Sequence, residues 1–254
     1  MRRTAVLSDL HANLQATEAC LAHADRAGAG RVVFLGDLVG YGADPVAVVR
    51  LVAERLARGA AVAVLGNHDA AALDPREAAG MNGSAAAAIA WTRRALDDAS
   101  RALLAGLPMA HEEGDVLYIH ADASAPARWR YVEGPEAARR SLAATGARVT
   151  LCGHVHVPAL YGLTAAEKLA AFRPLDGAPV PLARPRRWLA VLGSVGQPRD
   201  GDPSACYAML DEDGGGGAPT LTMHRVPYDA HAAAARVRAA GLPASLADRL
   251  LVGR

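Results

Sequence analysis

Apolar runs of strand length alternate with helical spacing through the first third of the chain. Residues 4–8, 31–35 and 61–65 are short apolar runs, and residues 14–27 and 45–58 between them repeat their apolar positions at helical intervals. The predicted order is βαβαβ. Crossovers of this length favour parallel strands, and open α/β sheets gather ligands beyond the carboxyl ends of their strands. The polar residues that follow each apolar run are therefore where chemistry is expected.

Farther on, residues 84–97 predict a helix carrying Ile89, Trp91 and Leu96, and residues 100–107 a shorter one ended by Pro108. Strands are expected at 115–119, 148–151, 188–192, 206–210 and 221–226, with a helix near 135–144 and a hairpin within 159–175. Residues 214–217 predict a flexible turn, and two helices, near 230–240 and 244–251, close the chain. The second half thus reads as more antiparallel than the first. No stretch of linker composition separates the halves, which predicts a single domain over residues 1–254, with helices from about 229–251 packing on it.

Composition narrows the function classes. Apolar residues make up 52% of the chain but include only two Phe, so burial must be spread over many small contacts. The single Lys, Lys168, leaves 26 of the 27 basic residues as Arg, which weakens any argument from arginine clusters such as Arg128 with Arg130. A net charge of +1 gives no global field for a polyanion and argues against long nucleic acids as substrates. No run approaches the roughly 18 apolar residues of a membrane span, and the run after Arg2-Arg3 ends at Asp9, too early for a secretory leader. Cys20, Cys152 and Cys206 lack paired spacing and suit a reducing compartment. The expectation is a cytoplasmic protein without a membrane anchor; its composition leaves a homo-oligomer open.

The ends of the apolar runs carry one kind of chemistry. They read Asp9-Leu-His11, Gly36-Asp37, Gly66-Asn67-His68-Asp69, Tyr118-Ile-His120 and Gly153-His154-Val-His156. Carboxylate, amide and imidazole donors suit divalent ions of the Mn, Fe or Zn kind. Seven candidates (Asp9, His11, Asp37, Asn67, His120, His154 and His156) are too many for one ion and suit two. With one carboxylate shared, two ions sit about 3.5–4 Å apart, the spacing of two-metal phosphoester chemistry. His68 is then surplus and available for proton transfer. In an extended segment His154 and His156 point to the same side, and Gly153 lets the backbone turn close to them. His23, His111, His224 and His231 stand alone and read as surface or core residues.

Taken in order, these five motifs resemble those of the calcineurin-like metallophosphoesterase superfamily: D-x-H, G-D, G-N-H-[DE], an isolated His, and G-H-x-H. The resemblance implies a four-layer α/β/β/α sandwich with two facing mixed sheets. It implies that Asp9, His11 and His156 hold one metal, that Asn67, His120 and His154 hold a second, and that Asp37 bridges them. The metals implied are divalent, Mn first, with Fe, Zn, Ni or Co as alternatives. Attack on a small phosphorylated substrate would come from a hydroxide shared by the ions, with His68 as proton donor.

Gly-Asp-Leu-Val-Gly-Tyr-Gly at 36–42 and Gly-Ser-Val-Gly-Gln-Pro-Arg-Asp-Gly-Asp-Pro at 193–203 further resemble a YfcE-like branch of small bacterial and archaeal phosphoesterases. That branch is linked with phosphodiesters; phosphomonoesters and dinucleoside polyphosphates remain alternatives, as does a non-catalytic metal-binding scaffold. Arg199, within the second motif, is a candidate phosphate contact, since guanidinium matches phosphate bidentately. Four positions depart from the pattern: Val191-Leu192 replaces Asn-Pro, Ala121 replaces Gly, and Gly40 replaces the Asp that orients the catalytic histidine in better-known phosphatases. Asp69 or a backbone carbonyl is left to orient His68.

Overall fold

The computed structural model describes residues 1–213 and 217–254, so the turn expected at 214–217 lies, but for Gly217, outside the described residues. The chain opens with β1 (Arg2–Leu7), α1 (Leu14–Arg26), β2 (Arg31–Phe34), α2 (Pro45–Ala57) and β3 (Ala61–Ala63), the expected βαβαβ order. Three helices follow: α3 (Asn67–Leu73), α4 (Gly83–Ala95) and α5 (Asp98–Ala105). Then come β4 (Ala110–Glu113), β5 (Val116–Ile119), α6 (Gly134–Ala143) and β6 (Val149–His156). The hairpin is β7 (Ala159–Leu163) and β8 (Leu169–Phe172), followed by β9 (Pro179–Pro181) and β10 (Arg187–Gly193). The chain closes with β11 (Ala205–Glu212), β12 (Thr220–Val226), α7 (Ala230–Ala239) and α8 (Ala244–Val252).

Two mixed six-stranded sheets result, in the orders β3-β2-β1-β11-β12-β9 and β4-β5-β6-β10-β7-β8. The first pairs β1, β2 and β3 in parallel and adds the remaining strands antiparallel. The second keeps a parallel centre, β5-β6-β10, so the later half of the chain is less antiparallel than its sequence suggests.

The alternation of strand side chains explains the layers. Val6 of β1 and Val33 of β2 join Tyr118, Leu151, Leu192 and Ala208 in a core between the sheets. Their neighbours Ala5, Leu7, Val32 and Phe34 point the other way and pack with Cys20, Leu21, Val48 and Val52 of α1 and α2. On the far side of the second sheet, Leu117, Ile119, Leu189 and Val191 pack against Ala138 and Leu142 of α6. Strands buried on both faces read as unbroken apolar runs, as these do. The architecture is the four-layer α/β/β/α sandwich. A fourth cluster joins α7 and α8 to α4 and to Tyr41, so the closing helices pack beside the loops after β1 and β2. Among the described residues no helix is long and apolar enough to cross a membrane.

Candidate metal centre

The loops after β1, β2, β3, β5 and the end of β6 converge on one place, where Asp9, His11, Asp37, His68, His120, His154 and His156 are all buried. Five of these residues hold backbone that L-residues rarely adopt. Asp9, His11, Asp37, His154 and His156 have φ of 56°, 49°, 51°, 69° and 64°. Non-glycine residues in this region cost of order 1–3 kcal/mol each and persist where the surroundings over-determine them, commonly at functional sites. His154 and His156 therefore lie in a strand that continues through them but is irregular. The register of β6 with β10 shifts between Val191 and Gly193, so simple alternation does not place the two rings.

Four of the imidazoles are each pinned at one nitrogen by a carbonyl. His11 Nδ1 donates to Val39 O at 3.2 Å, His120 Nδ1 to Leu35 O at 2.7 Å, and His156 Nδ1 to Gln197 O at 2.6 Å. His154 is reversed, its Nε2 donating to Trp129 O at 2.9 Å. A carbonyl only accepts, so each pinned nitrogen carries the proton and the other presents a lone pair. These lone pairs meet. His11 Nε2 lies 3.1 Å from His156 Nε2, and His120 Nε2 lies 3.2 Å from His154 Nδ1 and 3.0 Å from Asn67 Oδ1.

Carboxylates complete the two groups. Asp9 Oδ1 is 3.3 Å from His156 Nε2, and Asp37 Oδ2 is 3.7 Å from His11 Nε2 and 3.5 Å from His120 Nε2. Asp37 Oδ1 accepts from the His68 backbone N–H at 2.8 Å, whereas its Oδ2 is buried without a hydrogen-bond partner among the described residues. Opposed lone pairs and an orphaned buried carboxylate oxygen are costly alone. Both are satisfied by cations, so this donor set fits divalent metal ions. Asp9, His11 and His156 form one such group and Asp37, His120 and His154 another, while His68 comes within the same reach of His11 and Asp37.

Electrostatics say the same. Burial, followed by repulsion from neighbouring imidazoles, holds His11 and His68 well below the usual histidine range, and pushes His154 down to about 3. Neutral imidazole is the ligating form. Burial raises Asp9, but the imidazoles around it, His156 first and then His120 and His11, together outweigh it and hold this carboxyl low; burial and then Asp9 itself push Asp37 well up. One acid is accommodated and its neighbour is not.

The sequence pattern of the calcineurin-like phosphoesterase superfamily domain matches residues 2–215. The chain belongs to that superfamily. It is similar to a metallophosphoesterase from Sphaerobacter thermophilus, 34% identical with a TM-score of 0.84, over 100% of this chain and 99% of that one. An uncharacterised protein of Methanocaldococcus jannaschii is 31% identical, over 98% of each chain. A hypothetical protein from Pyrococcus horikoshii shares the fold at 18% identity, with a TM-score of 0.76 and 100% and 99% of the two chains covered. Membership makes the protein a metal-dependent phosphoesterase.

Several features of this phosphoesterase differ from the reading of its sequence. Asp69 does not orient His68: its carboxylate accepts from the backbone N–H of Val39 and of Gly66, both at 3.1 Å, and so ties the loop after β2 to the start of α3. Burial and then Asp37 push Asp69 up to about 8. No carbonyl holds His68 Nδ1 either, which is buried without a partner among the described residues. The ring is instead wedged between aromatic neighbours, 4.4 Å from Tyr41 and 4.9 Å from His11. A Cβ on Gly40 would lie 2.4 Å from His68 Nδ1 at a φ of 87°, so the position that carries an Asp in better-known phosphatases is here the space that the histidine fills. Gly153 also has a different role. It stands within β6, and a Cβ there would meet Ser8 Oγ at 1.8 Å and Asp9 Oδ2 at 2.5 Å, so its lack of a side chain admits Asp9 rather than making a turn.

Arg199 lies beside this centre: its Nη2 donates to Tyr41 Oη at 3.3 Å, and its guanidinium carbon is 5.8 Å from the Tyr41 ring centroid. Nothing in the sequence tied Tyr41 to His68 or Arg199, or the Trp129 carbonyl to His154. Tyr41 stands 158 residues from Arg199 and 27 from His68, and only the fold brings the three together. A positive φ of 51° at Trp129 marks the turn that aims its carbonyl at His154.

Proposed function

We propose that the protein is a phosphodiesterase working with two divalent cations, manganese foremost. In this reading Asp9, His11 and His156 hold one cation, Asn67, His120 and His154 hold the other, and Asp37 serves both. The observation that carries it is Asp37 Oδ2, buried, unpartnered and between His11 Nε2 and His120 Nε2 at 3.7 and 3.5 Å. When bound, cations at such a site supply Lewis acidity toward phosphoryl oxygens and make water more acidic.

The chain's own residues do the rest. The carbonyls of Val39, Leu35, Gln197 and Trp129 keep the four imidazoles in the ligating tautomer, the outer support that metal-binding histidines need. His68 borders both the ligand groups and the open cleft beside them, so it is the proton donor to the departing oxygen. An anionic phosphate next to it raises its proton affinity, against the burial and imidazole repulsion that lower it in the free protein. Arg199 contacts a phosphoryl oxygen from its place over Tyr41. One nearby guanidinium matches the single charge of a diester better than the double charge of a monoester. The substrate is small, the compartment is the cytoplasm, and the whole chain acts as one domain.

Bis-p-nitrophenyl phosphate and p-nitrophenyl phosphate, each assayed with Mn, Fe, Zn, Ni or Co, test the reading. Metal-dependent cleavage with the diester preferred is expected. A monoester-only profile overturns the diester assignment, and no cleavage of either with any metal contradicts the hydrolytic role of the site.

A further inference from the structure

Beside the metal centre the structure opens a cleft of about 420 Å³, bordered by Asn67, His68 and His154. Two other segments complete it: Gly80, Met81 and Asn82 ahead of α4, and Trp129 with Tyr131 ahead of α6. The volume far exceeds a phosphoryl group, so the cleft receives the organic part of the ester. Its aromatic side is arranged in an unusual way.

The Tyr131 ring lies parallel to the His154 imidazole, 4.2 Å away and tilted by only 10°, yet Tyr131 is still 48% exposed. One face of this ring is taken by His154, and the half-exposed remainder borders the cleft. An aromatic ring this exposed gains little from its own burial, and rings in such positions commonly serve recognition. Trp129, two residues earlier, is fixed from the same side. Its carbonyl accepts from His154 Nε2 at 2.9 Å, and its indole stands edge-on to His120, 5.8 Å away at 72°. Both aromatic residues are therefore anchored on imidazoles of the metal centre, at a set place relative to the phosphorus. Polar groups edge the same space. Asn82 spends its Oδ1 on capping α4 through the Ala85 N–H at 3.0 Å, leaving its NH₂, while Glu77 and Arg128 offer an acceptor and a donor.

We infer that Tyr131 and Trp129 bind a flat aromatic ring in the substrate's organic group, a nucleobase or an aryl ring, and so set the specificity of the enzyme. The inference rests on the phosphoesterase reading and names its substrate class. Tyr131 makes the stacking contact; Trp129 positions it and flanks the ring. Neither takes part in bond breaking.

Phosphonates, whose carbon–phosphorus bond the enzyme cannot hydrolyse, test this by calorimetric titration of the manganese-loaded protein. The ligands are methylphosphonate, phenylphosphonate, and the 5′-methylenephosphonates of ribose and of adenosine. Each ringed ligand should bind about five- to a hundredfold tighter than its ringless counterpart, the range of base–aromatic stacking. Tyr131→Ala should bring that ratio close to one, and Tyr131→Phe should restore it. A larger ratio for adenosine than for phenyl assigns a nucleobase, and the reverse an aryl group. Equal affinities for ringed and ringless ligands overturn the inference, as does a Tyr131→Ala variant that weakens every ligand by the same factor, since Tyr131 would then only support His154. Failure of the wild-type protein to bind any of the four would instead contradict the proposal that this centre receives the phosphoryl group, on which the inference rests.

Discussion

At the amino ends of β1 and β2, Arg2 pairs with Glu113 and Glu212, both at 2.6 Å, Arg3 pairs with Asp211 at 2.7 Å, and Arg31 reaches the same Glu113. At the carboxyl ends of the same two strands, Asp9 and Asp37 are buried among imidazoles whose lone pairs face one another. Both rims gather charged residues. The first pairs each acid with a guanidinium, stays in reach of water and adopts ordinary backbone. The second buries its acids, holds Asp9, His11 and Asp37 at positive φ, and leaves Asp37 Oδ2 unpartnered. Charge that is satisfied within the chain stabilises modestly, whereas charge left unsatisfied at a structural cost marks a place completed from outside.

The contrast breaks most sharply at the shared acid. Asp37→Asn should lower turnover on the order of a thousandfold, the several kcal/mol of charge stabilisation that metal sites supply, and reduce bound metal by elemental analysis. His68→Asn should slow turnover by at least about a hundredfold, the range of general acid catalysis, with metal content unchanged. Metal loss in that variant would place His68 among the ligands instead. Gly40→Ala probes what holds the histidine. With a Cβ only 2.4 Å from Nδ1, the ring must shift, and a loss of about ten- to a hundredfold in kcat is expected with both metals retained. An unaffected kcat would show that the wedge is not what orients His68.

Much of the second rim was legible because its information is local. Each candidate ligand motif sits within a few residues of an apolar run, so strand recognition and spacing together find Asp9, Asp37 and His120 at strand ends. What the sequence concealed was non-local or conformational. Residues 67–73 form α3, but its first turn, Asn67-His68-Asp69, carries the site's polar residues and hides the helical pattern. The short edge strands β4 and β9 lack a period because Ala110–Glu113 is polar but for its first residue and Pro179–Pro181 is proline-bounded. The left-handed backbone at His154 and His156 cannot be read from side-chain type, and the Tyr41–His68 and Tyr131–His154 contacts depend on the packing of distant loops.

Metal removal separates the rims further. Each cation held at a free concentration a hundred times its dissociation constant adds about 2.7 kcal/mol, which for a chain of this size means a fall in Tm of about 5–10 °C per site on chelation, read by calorimetry. The smallest effect belongs to the first rim. Glu113→Gln should cost less than about 1 kcal/mol in urea unfolding, as partly exposed pairs do. Burial raises the Glu113 carboxyl, but Arg31 and Arg2 outweigh it and hold it at about 2, against an ordinary 4.5. A lowered acid stabilises the fold above its unfolded value and loses that contribution as pH falls. The wild type and variant should therefore differ above pH 4.5 and converge as pH falls toward 2.

Manganese titrated into the metal-free protein, with stoichiometry read by calorimetry, tests the two-cation centre most directly. The wild type should take up two equivalents, and His154→Ala and His156→Ala should each retain one. A wild type that binds fewer than two, or a loss of both ions from either single substitution, would contradict two groups of ligands meeting at Asp37.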